Sequence, residues 1–166
     1  MRKIKIKQNT LGDTRTATKV PTFYEFIDSN SSHATDVSNM MDYIAEKIRL
    51  AGNNHDYTKI CDPKRSLFYR ELCATIEGKM DSFVDGEWYP MHCKTERHHL
   101  NEYCPNDVTM IDVIEMICDC VCAGLARSGN VRPVEISADI LKRAVDNTVK
   151  MLVDVVEIEV SKNDSI

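Results

Sequence analysis

No segment of this 166-residue sequence is both long enough and free enough of charge to cross a bilayer, which takes about 20 consecutive apolar residues. A membrane-spanning protein is therefore not expected. The opening MRKIKIKQNT is basic but lacks the apolar run of a secretory signal, so export is not expected and the cytoplasm is the expected location. The seven cysteines are odd in number and not spaced as in small secreted scaffolds, so they are expected to be reduced. Positive charge is also short: a net charge of −5 argues against a protein that coats nucleic acid, which needs Lys and Arg to neutralise phosphates. There is no internal repeat, no low-complexity tract and no glycine loop of the kind that cradles phosphate. What is present, 43% hydrophobic and 28% charged residues, is ordinary for a globular chain of one domain.

The pattern predicts a mostly helical fold with a short N-terminal β or arm segment. Residues 1–30 differ from the rest: an alternating KIKIK, a polar stretch to Lys19, then the aromatic run Pro21 to Phe26, read as an arm or short strands. Residues 31–160 are expected to form the helical domain and 161–166 a frayed tail. Thr35-Asp36 suits a helix start, with Val37, Met40, Met41, Ile44 and Ile48 at helical spacing and Gly52 as its end. Asp62-Pro63 marks another start, followed by Leu67, Phe68, Leu72, Cys73 and Ile76. Lys79 to Pro105 reads as a long functional loop. Thr109 with Asp112 forms a capping-box pattern ahead of a helix apolar nearly all round, expected at the domain centre. Ser137 opens a last amphipathic helix.

The five histidines, His33, His55, His92, His98 and His99, all lie in the region from the first expected helix, with His33 just before it, to the start of the central one. If the helices pack antiparallel, these points converge at one end of the bundle. Asp112, Glu115 and Asp119 stand at i, i+3 and i+7, one stripe of the central helix. Burying unpaired carboxylates is costly, and a divalent cation offsets that cost. Mixed His and Asp donors suit several such ions and can make bound water nucleophilic near neutral pH. Asp119 is the expected helix ligand. Asp112 is read first as the partner of the Thr109 cap; the role of Glu115 stays open, with orienting a ligand histidine as one option. Cys118, Cys120 and Cys122 alternate round a helix and cannot share one tetrahedral site, so they are read as small core residues.

The ordered set of His, His-Asp, further His and a later helical Asp resembles the HD superfamily of metal-dependent phosphohydrolases. His55-Asp56-Tyr57-Thr58-Lys59 is similar to the HD-x-x-K form of its signature, with Thr58 where a smaller residue often stands. The stretch from His33 to Arg127 also resembles an uncharacterised phage and bacterial HD-like family with a double-histidine loop and a central helix matched here by Glu115-Met116-Ile117-Cys118-Asp119. The resemblance implies an HD-like helical bundle holding one or two divalent ions (Mn, Fe, Ni, Zn, Co or Mg). The implied ligands are His33, His55, Asp56 and Asp119, with His92 and either His98 or His99 for a second ion and Asp56 bridging both. Lys59, Asp56 and Glu115 become the expected catalytic residues, with Lys59, Lys94 and Arg97 facing the substrate.

The resemblance also implies a small phosphorylated substrate, a nucleotide above all, and a host-cytoplasmic location if the gene is phage-borne. The basic N-terminal arm could reach a neighbouring subunit and make a homo-oligomer. Two other functions fit the same residues. One is an HD-type di-iron oxygenase. The other is a non-catalytic, metal-stabilised binding or assembly protein of phage origin. Trp88 and Tyr89 are pocket walls or packed aromatics.

Overall fold

Thr22 and Glu25 cap one another: the Thr22 backbone N–H donates to Glu25 Oε2 at 2.7 Å, and the Glu25 N–H donates to Thr22 Oγ1 at 3.3 Å. This reciprocal cap satisfies two otherwise free donors and starts a helix at once. Helix α1 therefore spans Phe23–Asn54, beginning well before Thr35, whose hydroxyl instead donates to Ser31 O in mid-helix. The aromatic run read as strand or arm is thus the first turns of α1. The computed structural model describes residues 3–8 and 17–160, and in these the chain is mostly helical. The expected tail at 161–166 lies outside the described residues. No described helix is long and apolar enough to cross a membrane.

The chain divides into two compact units, one made of residues up to Glu46 with those from Val149 onward, the other of Lys47–Thr148. In the first, the KIKIK segment forms strand β1 (Ile4–Gln8), paired in parallel with β2 (Val156–Val160), from Ile4 opposite Val156 to Gln8 opposite Val160. Sequence reading placed β2 in the helical domain. The two strands have matching alternation, with lysines against glutamates, and Lys5 Nζ reaches Glu159 Oε1 at 2.7 Å. Such exposed pairs select register more than they add stability.

The second unit carries α2 (Tyr57–Ile60), α3 (Lys64–Ile76), α4 (Trp88–Thr95), α5 (Met110–Ser128) and most of α6 (Ala138–Val155), with the last turns of α1. Its core gathers Leu100, Val108, Val113, Met116 and Ala144. Helix α5 is not enclosed all round, because Ile117 and Leu125 are 41% and 51% exposed. Its start is tied to α6: Met110 N donates to Thr148 Oγ1 at 2.8 Å, and Asn147 Nδ2 donates to Val108 O at 2.9 Å. Gly129, at φ 72°, ends α5 in the left-handed conformation that glycine adopts without a Cβ penalty. The expected loop from Lys79 to Pro105 contains α4 and a 3-10 turn at Phe83–Asp85. Helix α4 is anchored from α3, since buried Glu71 accepts the N–H groups of Glu87 and Trp88. A Cβ at Gly86 would fall on that carboxylate, so a side chain there would push Glu71 off the start of α4.

Asp112 is the cap that the sequence suggests, and more. Its Oδ2 accepts from Thr109 N at 2.7 Å, and its two oxygens accept from Arg97 Nε and Nη2 at 2.7 and 3.0 Å. Asp112→Ala would leave Arg97 Nε and the Thr109 N–H without an acceptor, with only Asp107 still holding the guanidinium. We expect a loss of about 2–3 kcal/mol in urea unfolding, the value for a broken buried pair reduced because Arg97 is half-exposed. A change below about 0.5 kcal/mol would show that Asp112 is not a structural anchor.

Candidate metal centre

Between α1 and α2 the chain turns through Asp56 at φ 56°, ψ 30°, a left-handed conformation that Asp tolerates better than most residues. The turn puts the Asp56 carboxylate, 18% exposed, among imidazoles from three segments. His55 Nε2 lies 3.4 Å from Asp56 Oδ2, while His92 Nε2 and His98 Nε2 lie 3.6 and 3.8 Å from Oδ1. Asp119 of α5 joins with Oδ1 at 3.5 Å from His55 Nε2. His99 Nε2 is 2.8 Å from His92 Nε2.

Three of these rings are held from behind. Glu115 Oε1 stands 2.9 Å from His55 Nδ1 and 3.1 Å from His98 Nδ1. Burial would raise the Glu115 carboxyl, but the bonds from His98 and His55 outweigh it and hold the group below its ordinary value. An ionised carboxylate only accepts, so both Nδ1 atoms carry a proton, and in the neutral rings both Nε2 atoms present a lone pair toward Asp56. His92 Nδ1 is 2.6 Å from the Thr58 hydroxyl, and its ring stacks on Trp88 at 4.4 Å between centroids. Thr58 is itself fixed, its N–H donating to Glu96 Oε1 at 2.7 Å in a buried contact. Metal-ligating histidines are oriented in this way, by a partner on the nitrogen that faces away from the ion.

Two buried atoms at the centre, Asp56 Oδ1 and His98 Nε2, have no hydrogen-bond partner. Their separation exceeds hydrogen-bond length but suits two donors of one ion, since ligands about 2.1 Å from a tetrahedral centre stand about 3.4 Å apart. Among the described residues, the groups that could hold a metal ion are His55 with Asp56 and Asp119, His92 with His98 and His99, and His55 with His98 and Glu115. In the last, the orienting role of Glu115 on two Nδ1 atoms is the better fit, so we assign it as a positioning residue. Burial works against ionised Asp56, but the Lys59 ammonium at 2.6 Å, with His55 and His92, keeps its carboxyl below the ordinary value. Burial lowers His92 to about 3 and His99 to about 4, neighbouring positive charge adding to both, so both are neutral donors near pH 7.

The structure thus brings together His55, Asp56, Lys59, His92, His98, His99, Glu115 and Asp119. It does not bring in His33, exposed inside α1 in the first unit and in none of these groups. The reason is the early start of α1, which makes His33 a mid-helix residue instead of a loop residue. Arg97 is engaged by Asp112 and Asp107, and Lys94 stands over the Tyr103 ring at 5.8 Å, so neither faces the centre. A cleft of about 480 Å³ opens beside His92, His98 and His99, and the cations that line it are instead Lys59, Arg127 and Arg132. Of the three alternating cysteines only Cys120 packs on the core; Cys118 and Cys122 are exposed. Sequence reading missed Thr58 and Glu96 as supports. Their only signal was that a Thr directly precedes Lys59 and a Glu directly precedes the Arg-His-His run.

Residues 22–158 match the profile of a family of unknown function, DUF5662. No curated protein and no solved structure matches the chain.

The lowered histidines make stability depend on pH with a definite sign. The unfolded chain takes up these protons near pH 6.5, the folded one only near 4 and 3, so their contribution is full above pH 6.5 and is lost as pH falls through that window. For chelator-treated protein, Tm is expected to fall from pH 6.5 to 4, and less steeply in His99→Asn. Parallel profiles for the two proteins would contradict the assignment.

Proposed function

The chain belongs to DUF5662, a family of unknown function, and from the chemistry of the centre we propose that it is a metal-dependent phosphohydrolase of the HD type acting on a nucleotide or related phosphate ester. The observation that carries this reading is the facing pair of buried, unpartnered donors, Asp56 Oδ1 and His98 Nε2, ringed by further lone-pair donors. Buried polar atoms are nearly always paired, and an oxygen and a nitrogen that each offer only a lone pair are satisfied together by a cation. His55, Asp56 and Asp119 would hold one ion, and His92, His98 and His99 a second.

A bound divalent ion supplies polarisation of a phosphoryl oxygen and a water acidic enough to be nucleophilic near neutral pH. The remaining work falls to the chain. Lys59 places an ammonium beside the centre, where it can meet a phosphate oxygen once Asp56 is otherwise engaged. Asp119 sits on the same rim and can accept a proton. A cleft of about 480 Å³ opens from the histidines, with Phe68, Phe83 and Tyr89 as aromatic wall and Lys59, Arg127 and Arg132 as cations. That combination suits a flat base and an anionic group together.

Elemental analysis of chelator-free protein should find one or two divalent ions per chain. Asp56→Asn, a residue that keeps the left-handed turn accessible, and His98→Ala should lose them, and His33→Ala should keep them. Glu115→Gln should weaken metal affinity by about 10–100-fold. Phosphate release from nucleotides with Mn²⁺ added should depend on Lys59, whose replacement by Met lowers kcat/KM. Metal-free wild type that takes up no added ion would end the reading; metal with oxygen uptake and no phosphate release would favour a di-iron oxygenase instead.

A further inference from the structure

A second cleft, of about 230 Å³, meets the same centre. It runs between the end of α1 and the exposed side of α5, walled by Ile48 and Ala51 from the former and Ile111, Ile114, Cys118 and Cys122 from the latter. His55, Glu115 and Asp119 close its inner end, and Asp119 lines the larger cleft as well. The candidate centre is therefore open on two sides of unlike chemistry. One side is aromatic and cationic; the other is almost wholly apolar apart from the site residues at its end.

We propose that this cleft is a subsite of the centre that takes an apolar group of about benzyl size carried on the substrate's phosphate. The proposal rests on the phosphohydrolase reading and narrows its substrate class. An anionic head held at the centre leaves a neighbouring apolar group within reach of the cleft, because Asp119 and His55 belong to both. The size is adequate, since an apolar cavity of about 150 Å³ accepts benzene. The lining explains two features that the core does not. Cys118 and Cys122 face outward from α5 instead of packing on Val113 and Met116, and the small Ala51 and Gly52 keep the end of α1 from filling the space. At Gly52 nothing lies within 4 Å of where a Cβ would stand, so the opening is not maintained by a clash.

Calorimetric titration of the full chain with Mn²⁺ present, using methylphosphonate and benzylphosphonate as hydrolysis-resistant probes, separates the two claims. The expected result is benzylphosphonate binding at least tenfold tighter than methylphosphonate. Cys122→Trp, which fills the cleft, should remove that preference while leaving methylphosphonate within about twofold, which also shows that the variant folds. Ala51→Phe is a second filler from the opposite wall and should act alike. Equal binding of the two probes by wild type would overturn the subsite alone. So would a preference that survives both fillers but disappears in Phe83→Ala, since the apolar group would then lie in the larger cleft. Failure of methylphosphonate to bind at all would sink the phosphohydrolase reading, and the subsite with it.

Discussion

The constraint on which the rest depends is the crowding of imidazole nitrogens around one carboxylate, that of Asp56, whose Oδ1 no hydrogen bond satisfies. Asp56 can occupy that place only because the chain reverses there in a left-handed turn, directing its side chain inward between α1 and α2. Each ring that faces it is fixed at the far nitrogen: His55 and His98 by Glu115, His92 by Thr58. A single glutamate on α5 thus sets the tautomer of two histidines from distant segments, and that makes their inward nitrogens acceptors instead of donors. An arrangement in which no central atom can donate to another would be poorly stable alone, apart from the Lys59 ammonium on Asp56 Oδ2 and the close His92–His99 contact. A cation is the partner that such a set suits.

The supports of the centre are built from the same economy of capping that builds the helices. Glu71 ties the start of α4 to α3 and so places His92; Glu96 ties the start of α2 to the end of α4 and so places Thr58. Asp112 anchors Arg97, the residue just before His98, to the first turn of α5, where Glu115 is one turn further on. Three carboxylates with purely structural contacts therefore hold the geometry of the ones that face the centre. Their burial is sustained because each accepts from at least one backbone N–H or a guanidinium.

Much of this was legible in residue order. The capping box at Thr109 and Asp112, the glycine stop at Gly129, the serine start at Ser137 and the helical stripe carrying Glu115 and Asp119 all rest on local rules and are found where those rules put them. The reading of Asp112 as a cap follows from its place three residues after Thr109, whereas position on the helix face leaves the role of Glu115 open. The start of α1 was not read, because the Thr22–Glu25 cap sits inside an aromatic run whose composition favours strand. His33 followed that error into the candidate ligand set. The eight residues of α4 include Pro90 and carry little periodicity, so order alone points to a loop; the helix is stabilised by Trp88 packing on Phe68 and by the Glu71 cap, both long-range.

By itself the sequence determined the helical class, the caps of the later helices, and a shortlist of histidines and carboxylates, since all of these depend on spacing along the chain. Tertiary structure alone decided which of them meet. Arg97 could have faced a phosphate, but two aspartates claim its guanidinium; Cys118 and Cys122 could have been core, but the exposed side of α5 leaves them lining a cleft. The pairing of β1 with β2 across nearly the whole chain, and the gathering of His55, His92, His98 and Asp119 on Asp56, join residues that no local rule connects. Spacing sets the direction of a side chain from its own helix, whereas the partner it meets is set by how separate helices pack, and that is a property of the folded chain alone.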